Sequence, residues 1–548
     1  MARGAVAGWR CAALRVAIPG TLAATIPCHY GVPFDLDPVG AKMDRRTLLA
    51  ITLSLLVVVG YALLMERFYP TPESERGEQV GTSSPAPVVP SAPVPLVAPT
   101  ASSSIAVEEG VEISNQLVTL AFGRRTGGLL SVRLKRHLDE EGLPLELVPQ
   151  QSALRSGQVL GADGKFVEAT SVEAVGGRVL VQLVDGTSLT WTLTTDVYVP
   201  QLAVMVPQAG MRLVGPTNFS DRVPASRYYG NNGFAYGVGE NKEAETLEFT
   251  KLKGPVQVPG PVGWVVSEDK YFIQGWLCEA PLPGVELFAG EPGKLSQTAV
   301  IALPQGESLF RVYLGPKEMD ALAATSPVLT GRIYFGWFRV VAEPMFHLLR
   351  WLHKLVHSWG VAIILVTLLI KLLFFKLTHS QQRSMKKMQA LQPEMAGLRE
   401  KYKKDPQRMQ REIMELYKRH KVNPMMGCLP MLVQIPVFIA LYNVLLNTIE
   451  LRHAPFLYLP DLSAPDALFG HVAGFAVGPL PLIMGVSMWV QQRMTPTTME
   501  PMQAQVMKAL PLVFTFMFLN FPSGLVLYWT VNNLLTLGQQ AIVNRQME

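Results

Sequence analysis

Charged residues, cysteines and the usual catalytic signatures are all scarce in this sequence. Only 17% of its 548 residues are charged, against 49% hydrophobic, and the mean hydropathy is +0.23. The four cysteines lie far apart without a CxxC pair, so neither a disulfide framework nor a zinc site is indicated. The HExxH, Walker and GxSxG signatures are also absent. We therefore predict no enzyme, cofactor or metal, but a multidomain membrane protein with a soluble part.

The first 68 residues predict a membrane anchor preceded by an extension. Residues 1–42 contain arginines but no acid before Asp35, which suits a targeting segment or an over-long gene start. Met43 begins a complete membrane-protein start; we expect translation to begin there, which N-terminal sequencing would decide. Two arginines precede the apolar run Leu48–Leu64 and keep the N-terminus in the cytoplasm. Because no small-x-small site follows directly, residues 43–68 are predicted to be an uncleaved signal anchor rather than a cleaved signal peptide.

A linker and a β domain follow the anchor. Residues 69–105 are crowded with proline, serine and other small residues, which favours an extended, solvated chain. From 106 to 330, short alternating runs separated by turns such as Asp163-Gly164 and Asp185-Gly186 predict a β-sandwich. The predicted strands are Gln116–Phe122, Leu129–Leu134, Arg178–Leu183, Ser188–Leu193, Val197–Val206 and Tyr271–Leu277.

Residues 230–237, GNNGFAYG, are rich in glycine and aromatic residues. Two interpretations stay open at this point. The stretch is either a loop that binds a sugar or a peptide, or a loop whose backbone needs positive φ. The second is the more common origin of such a composition.

Residues 331–358 predict an amphipathic helix at the membrane surface. Aromatic and basic residues recur at helical spacing, as expected for a helix on the outer membrane face before the first core helix. His353 and His357 are four residues apart, but no acidic residue flanks them as a further ligand. Interfacial side chains are therefore favoured over a metal site.

Trp359–Leu377 predicts a transmembrane helix with one charge inside it. At about 1.5 Å per residue, Lys371 lies about 18 Å from Trp359, just past the midplane. A cation at that depth costs about 2.5–3.5 kcal/mol and normally faces a bundle interior or a wet cavity. Thr367 lies one turn earlier on the same face. Lys371 therefore indicates a polar recess in the bilayer, unless it snorkels to the membrane edge near Lys376.

Residues 378–424 predict a basic helical hairpin. Lysine and arginine greatly outnumber acids, which places the segment in the cytoplasm. Apolar residues keep helical spacing on both sides of Asp405-Pro406, which predicts a break there. The hairpin is interpreted as a surface that contacts partners or lipids. The alternative is a solvated basic face that serves only to fix the membrane topology.

Four further spans complete a predicted core of residues 359–548. The last span has a polar face, because Tyr528, Asn532, Thr536 and Gln539 are spaced by four, four and three residues. Such side chains need partners or water within lipid. The region after residue 340 also holds 17 of the 23 methionines, which suits a surface that accepts varied apolar partners or ordinary lipid-facing filler. The predicted spans are Met426–Leu446, Val477–Gln492, Val506–Phe521 and Ser523–Val543.

Five segments of the C-terminal half resemble the YidC/Oxa1/Alb3 family of membrane protein insertases, in its Gram-negative YidC form. The resemblance, with the anchor and β domain, covers essentially everything from Met43. It implies a periplasmic β-supersandwich and a five-helix core around a groove open to the cytoplasm and to lipid but shut to the periplasm. The segments are WGVAIILVTLLIK (359–371), MKKMQALQPEM (385–395), KVNPMMGCLPMLVQIPVFIALYNVLL (421–446), ELRHAPF (450–456) and FPSGLVLYWTVNNLLT (521–536).

The same resemblance assigns groove residues. Lys371 aligns with the family's intramembrane positive residue, which is arginine in many members. Lys376 stands where the family often has proline, which puts the end of this helix in doubt. Cys428 and Gln434 match the helix that contacts substrate, and the other two matches, Thr367 and Tyr528, lie near the groove. Asn532 is added from the polar face of the last span. The predicted groove and substrate-binding residues are Lys371, Thr367, Gln434, Cys428, Tyr528 and Asn532.

The resemblance implies an ATP-independent insertase and chaperone of the bacterial inner membrane, with both termini in the cytoplasm. Its expected partners are nascent membrane proteins, the Sec translocon, ribosome–nascent chain complexes, the signal recognition particle receptor and membrane lipids, with no recognition of nucleic acid by sequence. A secondary transporter or channel is the first rival, but no embedded acid or internal repeat supports it. A membrane-anchored sugar-binding protein is the second, and it leaves the polar faces of the C-terminal helices unexplained.

Overall fold

The computed structural model describes residues 108–148, 154–194, 197–218, 232–238, 244–288, 297–420, 422, 429–494 and 501–547. The chain divides into two units at Pro93, and every described residue lies in the second. The predicted extension 1–42, anchor 43–68 and linker 69–105 lie outside the described residues, as does Cys428.

Two antiparallel sheets form the β domain. The first, β1-β2-β3-β4, has four strands. The second has twelve and follows the order β12-β11-β13-β14-β16-β9-β8-β7-β6, with β15 on β14 and β10 and with β5 on β10. The strands are β1 (Gly110–Ser114), β2 (Val118–Gly123), β3 (Leu129–Leu138), β4 (Pro144–Glu146), β5 (Val159–Leu160), β6 (Ala169–Val175), β7 (Arg178–Leu183), β8 (Ser188–Thr192), β9 (Gln201–Val206), β10 (Arg212–Thr217), β11 (Gly233–Val238), β12 (Ala244–Glu248), β13 (Val256–Glu268), β14 (Phe272–Phe288), β15 (Thr298–Ala302) and β16 (Gly306–Pro316).

The core of the sandwich is a row of aromatic rings between the sheets. Phe122 on β2 packs on Trp191 of β8 with ring centroids 5.4 Å apart. Trp191 meets Trp276 of β14 edge-on at 6.0 Å, and Trp276 meets Phe310 of β16 at 5.7 Å. Such edge-to-face pairs add to the free energy of burial. The predicted β-sandwich is therefore confirmed, with Phe122 of the four-stranded sheet packed on a row of three rings from the twelve-stranded sheet.

The period-two pattern located several strands correctly. In β7, buried residues alternate strictly with exposed ones, as expected for a strand with one buried face. Gly164 and Gly186 have φ of 77° and 85°, which confirms both predicted turns. The predicted strand Val197–Val206 begins only at Gln201, and Tyr271–Leu277 is the start of the much longer β14.

The stretch 230–237 was wrongly interpreted as a loop. Its described part belongs to β11, which pairs with β12 and β13 and buries Phe234 and Ala235 completely. Gly237 does not adopt positive φ; a Cβ there would overlap the indole of Trp264 on β13. The glycine is explained by close packing of a neighbouring ring rather than by a turn or an exposed ligand site.

Eleven helices follow within the described residues, with a two-strand hairpin between α8 and α9. Helices α8, α9, α10 and α11 lie where the four further spans are predicted, with ends shifted by up to five residues. The helices are α1 (Met319–Thr325), α2 (Pro327–Thr330), α3 (Arg339–Val356), α4 (Trp359–Leu373), α5 (Phe375–Ala390), α6 (Gln392–Lys401), α7 (Pro406–Arg419), α8 (Leu429–Asn447), α9 (Pro479–Met494), α10 (Pro501–Phe518) and α11 (Ser523–Met547), and the hairpin strands are β17 (His471–Val472) and β18 (Phe475–Ala476).

The predicted helix Trp359–Leu377 is wrong only in its last four residues. α4 ends at Leu373, and α5 begins at Phe375 after a bend of 64°. The bend falls at Phe374, four residues before the polar sequence THSQQR begins, and Lys376 belongs to α5. In the described part of the chain, no helix taken singly has the length and apolarity of a membrane span, whereas the bent pair α4–α5 meets both criteria together.

The basic hairpin consists of α5, α6 and α7. Asp405 accepts a hydrogen bond from the backbone N–H of Arg408 at 3.0 Å and so caps α7, at the predicted break. A small apolar cluster closes the hairpin, and within it the Tyr417 hydroxyl donates to Met395 Sδ at 3.2 Å. The buried members of the cluster are Met388, Leu391, Met395, Leu416, Tyr417 and Val422.

Candidate functional site

The ammonium of Lys371 lies between two helices of the core. In the last turn of α4, Lys371 Nζ donates a hydrogen bond to Thr536 Oγ1 of α11 at 2.7 Å. The Thr536 hydroxyl in turn donates to the Asn532 carbonyl one turn earlier, also at 2.7 Å. Lys371 thus has a definite acceptor, provided by the polar face that the spacing of α11 predicted.

Among the described residues, the helices that surround Lys371 provide no carboxylate to compensate its charge. No aspartate or glutamate occurs in α4, α5, α8, α9, α10 or α11. A threonine hydroxyl stabilises an ammonium by hydrogen bonding but does not neutralise its charge. The site is therefore electropositive and can attract an incoming carboxylate.

A second polar contact lies further along the same face of α11. Gln434 Nε2 on α8 is 3.4 Å from the hydroxyl of Tyr528, which is 2% exposed. Tyr528 precedes Thr536 by eight residues, which is about 12 Å along a helix. Asn532 lies between them and is half-buried. The structure thus brings four predicted site residues together along one face of α11, which we call the polar strip: Lys371, Gln434, Tyr528 and Asn532.

Thr367 does not take part in this strip through its hydroxyl. Its side chain is 1% exposed, and its Oγ1 donates to the Ile363 carbonyl of its own helix at 2.7 Å. A threonine that bonds back to the preceding turn is a common way to bury this residue in a helix. Thr367 therefore packs beside the site; Cys428 lies outside the described residues.

Sequence analysis placed Thr536 on the polar face but did not select it as a site residue. Its spacing of four from Asn532 was the available signal. A further polar pair was not anticipated at all: Asn533 Nδ2 donates to Ser487 Oγ of α9 at 3.1 Å. Gln539 Nε2 also reaches the Phe375 carbonyl at the α4–α5 bend, at 3.3 Å. α11 is therefore hydrogen-bonded to α4, α5, α8 and α9.

The opposite end of the helices meets the β domain through charged side chains. Arg350 of α3 forms a salt bridge with Asp320 of α1 and lies 3.9 Å from Glu450 Oε1, beyond the end of α8. These groups line a cavity of about 170 Å³. Burial raises the pKa of Glu450 to about 7, although Arg350 opposes the shift. Arg452 Nη1 also donates to the Leu138 carbonyl of β3 at 2.8 Å, so the segment after α8 holds the β domain against the helices.

Comparisons with known proteins agree over nearly the whole described chain. A family model described as "60Kd inner membrane protein" matches residues 351–548, and one described as "YidC periplasmic domain" matches residues 110–348. The chain is 41% identical over 542 residues to "Membrane protein insertase YidC" of Pelobacter propionicus, covering 92% of this chain and 99% of that protein. It is 37% identical to the protein of the same name in Citrifermentans bemidjiense, with the same coverage. A solved structure, "Active YidC insertase crystal structure with the first transmembrane domain resolved", is 21% identical, with coverage of 80% and 93% and a TM-score of 0.38.

Proposed function

This chain belongs to the YidC family of membrane protein insertases, and from that premise we propose that it inserts client proteins through the polar strip around Lys371 without ATP. The chain is a membrane protein insertase and not an enzyme; it belongs to a family of inner-membrane proteins with a periplasmic domain. The observation that carries the proposal is the uncompensated Lys371 ammonium, held by Thr536 among helices without carboxylates.

The first step is capture of an acidic client tail by Lys371. Two unit charges about 4 Å apart interact by roughly 4 kcal/mol at an effective dielectric constant of about 20. That gain is comparable to the roughly 2.5–3.5 kcal/mol that a cation costs near the bilayer centre. The client carboxylate thus offsets the cost of holding Lys371 in place. A hydroxyl acceptor such as Thr536 is exchanged for a carboxylate more readily than a paired acid would be.

The second step is release of the apolar client segment into lipid. α10 presents Leu512, Val513 and Phe516, which are 75%, 58% and 56% exposed. A client helix can slide along this surface and that of α8 without any covalent chemistry. Each buried CH₂ of the client contributes about 0.8 kcal/mol, so its own burial drives the step.

The proposed topology gives each remaining segment a role. Five core helices follow the signal anchor 43–68, the β domain is periplasmic, and both termini are cytoplasmic. The basic hairpin of α5, α6 and α7 receives ribosome–nascent chain complexes and the signal recognition particle receptor. The core inserts some clients alone and others together with the Sec translocon. It also acts as a chaperone that helps clients to fold.

A reconstituted insertion assay tests this mechanism. Purified protein in liposomes without ATP receives a single-span client with an acidic tail, and protease protection measures insertion. Wild type and Lys371→Arg are expected to insert it, whereas Lys371→Ala and Lys371→Glu fail, because only the first two retain the charge. Lys376→Ala is the matched control, since this lysine is exposed on α5 just beyond the bend.

The outcomes separate the mechanism from the family function. Equal insertion by all four proteins would refute the role of Lys371 while leaving the insertase function intact. Loss of insertion in Lys376→Ala alone would transfer the role to the hairpin. A client whose acidic tail is neutralised should lose its dependence on Lys371, and continued dependence would contradict the charge attraction.

A further inference from the structure

A short apolar β-hairpin lies between the end of α8 and the start of α9. We call residues 467–478 the apolar hairpin. β17 and β18 pair with His471 opposite Ala476 and Val472 opposite Phe475. The connecting residues Ala473 and Gly474 have φ of 50° and 83°. Two consecutive positive φ values form the tight hairpin turn that matches strand twist, so this is a defined structure rather than an irregular loop.

The composition of the apolar hairpin does not suit an aqueous surface. No aspartate, glutamate, lysine or arginine occurs from Ala467 to Gln492. Leu468, Phe469 and Val472 are nevertheless 56%, 63% and 62% exposed. Large apolar side chains that are exposed together, without charges among them, mark an interaction surface.

Hydrogen bonds on both sides hold the apolar hairpin in this orientation. Asp466, which is 3% exposed, accepts the backbone N–H of Leu480 at 2.8 Å and the Tyr458 hydroxyl at 3.0 Å. Asn520, between α10 and α11, accepts the backbone N–H of Ala476 at 3.0 Å. Because both strand ends are fixed, the hairpin cannot fold back to cover its own apolar side chains.

The apolar hairpin continues the exposed apolar flank of α10. The rings of Phe475 and Phe516 are 4.4 Å apart between centroids. Leu512, Val513 and Met517 extend the exposed apolar row along α10. The hairpin lies at the end of the helices where Arg452 contacts the β domain, and hence at the membrane surface that this domain faces.

We propose that the apolar hairpin inserts Leu468, Phe469 and Val472 into the acyl-chain boundary of the lipid leaflet on the β-domain side. Its partner is the hydrocarbon of the lipid rather than the headgroup charge, because the segment has no lysine or arginine to bind phosphate. The inference rests on membership of an inner-membrane family and is independent of the mechanism proposed for Lys371.

Site-directed spin labelling in liposomes tests this placement. The four native cysteines are replaced by serine in the full chain, and Val472→Cys, Val184→Cys and Leu512→Cys are labelled separately. Val184 is 65% exposed at a turn of the β domain and serves as the water control, whereas Leu512 is 75% exposed on α10 and serves as the lipid control. All three side chains point outward, so labelling should not disturb folding. Accessibility to oxygen, which partitions into lipid, is compared with that to a water-soluble nickel complex.

The expected ratio of oxygen to nickel accessibility at Val472 is several-fold above that at Val184 and close to that at Leu512. It should not change when anionic lipid replaces neutral lipid. A ratio equal to that at Val184 would overturn the proposal. Protection from both reagents at a low protein-to-lipid ratio would also overturn it, because a second copy of the chain would then cover the hairpin. Adding Phe469→Asp should shift the Val472 label toward the aqueous ratio, and an unchanged ratio would show that Phe469 does not hold the hairpin in lipid.

Discussion

Replacement of Glu268 by glutamine should destabilise the β domain far more than the same change at a surface ion pair. The Glu268 side chain is fully buried at the end of β13 and lies between two cations. Lys317 Nζ is 2.8 Å from Glu268 Oε2, and Arg332 forms a salt bridge with Oε1. Burial alone would raise the pKa of Glu268, but Lys317 and Arg332 outweigh it, so the pKa lies below its usual range and the group is ionised in the folded protein.

The magnitude follows from the burial of the two cations. The Lys317 and Arg332 side chains are 4% and 6% exposed, so Glu268→Gln leaves one ammonium and one guanidinium without their anion and away from water. Removal of one partner from a buried ion pair typically costs about 3–5 kcal/mol. Glu248, which pairs with Lys251 at 2.9 Å while both are more than half exposed, is the matched control. Exposed pairs of this kind contribute at most about 1 kcal/mol.

Pulse proteolysis of the full-length protein in detergent, across a urea series, measures both variants. With a slope of about 2 kcal/mol per molar urea, Glu268→Gln should lower the unfolding midpoint of the β domain by about 1.5–2.5 M. Glu248→Gln should lower it by less than about 0.5 M. Equal shifts for the two variants would refute the reasoning, because burial is what distinguishes the two pairs.

Two further predictions concern the domain junction and the glycine of β11. The pKa of Glu450, raised by burial to about 7, lies above that of an unfolded glutamate. The folded state therefore holds an extra proton between roughly pH 4.5 and 7, and stability should fall by at most about 3 kcal/mol as pH rises through that window. Apparent Tm at pH 5 and pH 8 should show this loss in wild type but not in Glu450→Gln; equal pH dependence in both would contradict it. Gly237→Ala should cost about 1–3 kcal/mol in the urea assay, because its Cβ overlaps buried Trp264. Gly263→Ala, which adds a Cβ where no atom lies within 4 Å, should be tolerated; similar losses in both would contradict the packing argument.

Local sequence patterns predicted the type of most elements, because the spacing of apolar residues reflects which face of a strand or helix is buried. The alternation of Arg178–Leu183 identified β7 to the residue, since one face of that strand is buried and the other is exposed. The same reasoning did not identify β11 as a strand. Gly237 makes room for a cross-strand indole on β13, and a contact of that kind leaves no period in the sequence.

The bend between α4 and α5 could not be predicted for a similar reason. No proline or glycine marks Phe374. The Phe375 carbonyl is bonded by Gln539, 164 residues away in sequence. Family resemblance and depth in an apolar run located Lys371, whereas the identity of its acceptor depends on how α4 and α11 pack. Sequence alone could list the polar face of α11 but could not choose Thr536 from it.

The bend between α4 and α5 lies only three residues after Lys371, and both helices contact α11. Beyond the bend, Lys386 of α5 donates a hydrogen bond to the Asn544 carbonyl near the end of α11 at 2.9 Å. Before the bend, Lys371 of α4 donates a hydrogen bond to Thr536 of the same helix. The basic hairpin and Lys371 are therefore hydrogen-bonded to the same helix, α11. Packing of α11 thus sets the position of the α4 lysine and of the basic segment beyond the bend together, so a change in α11 would displace both.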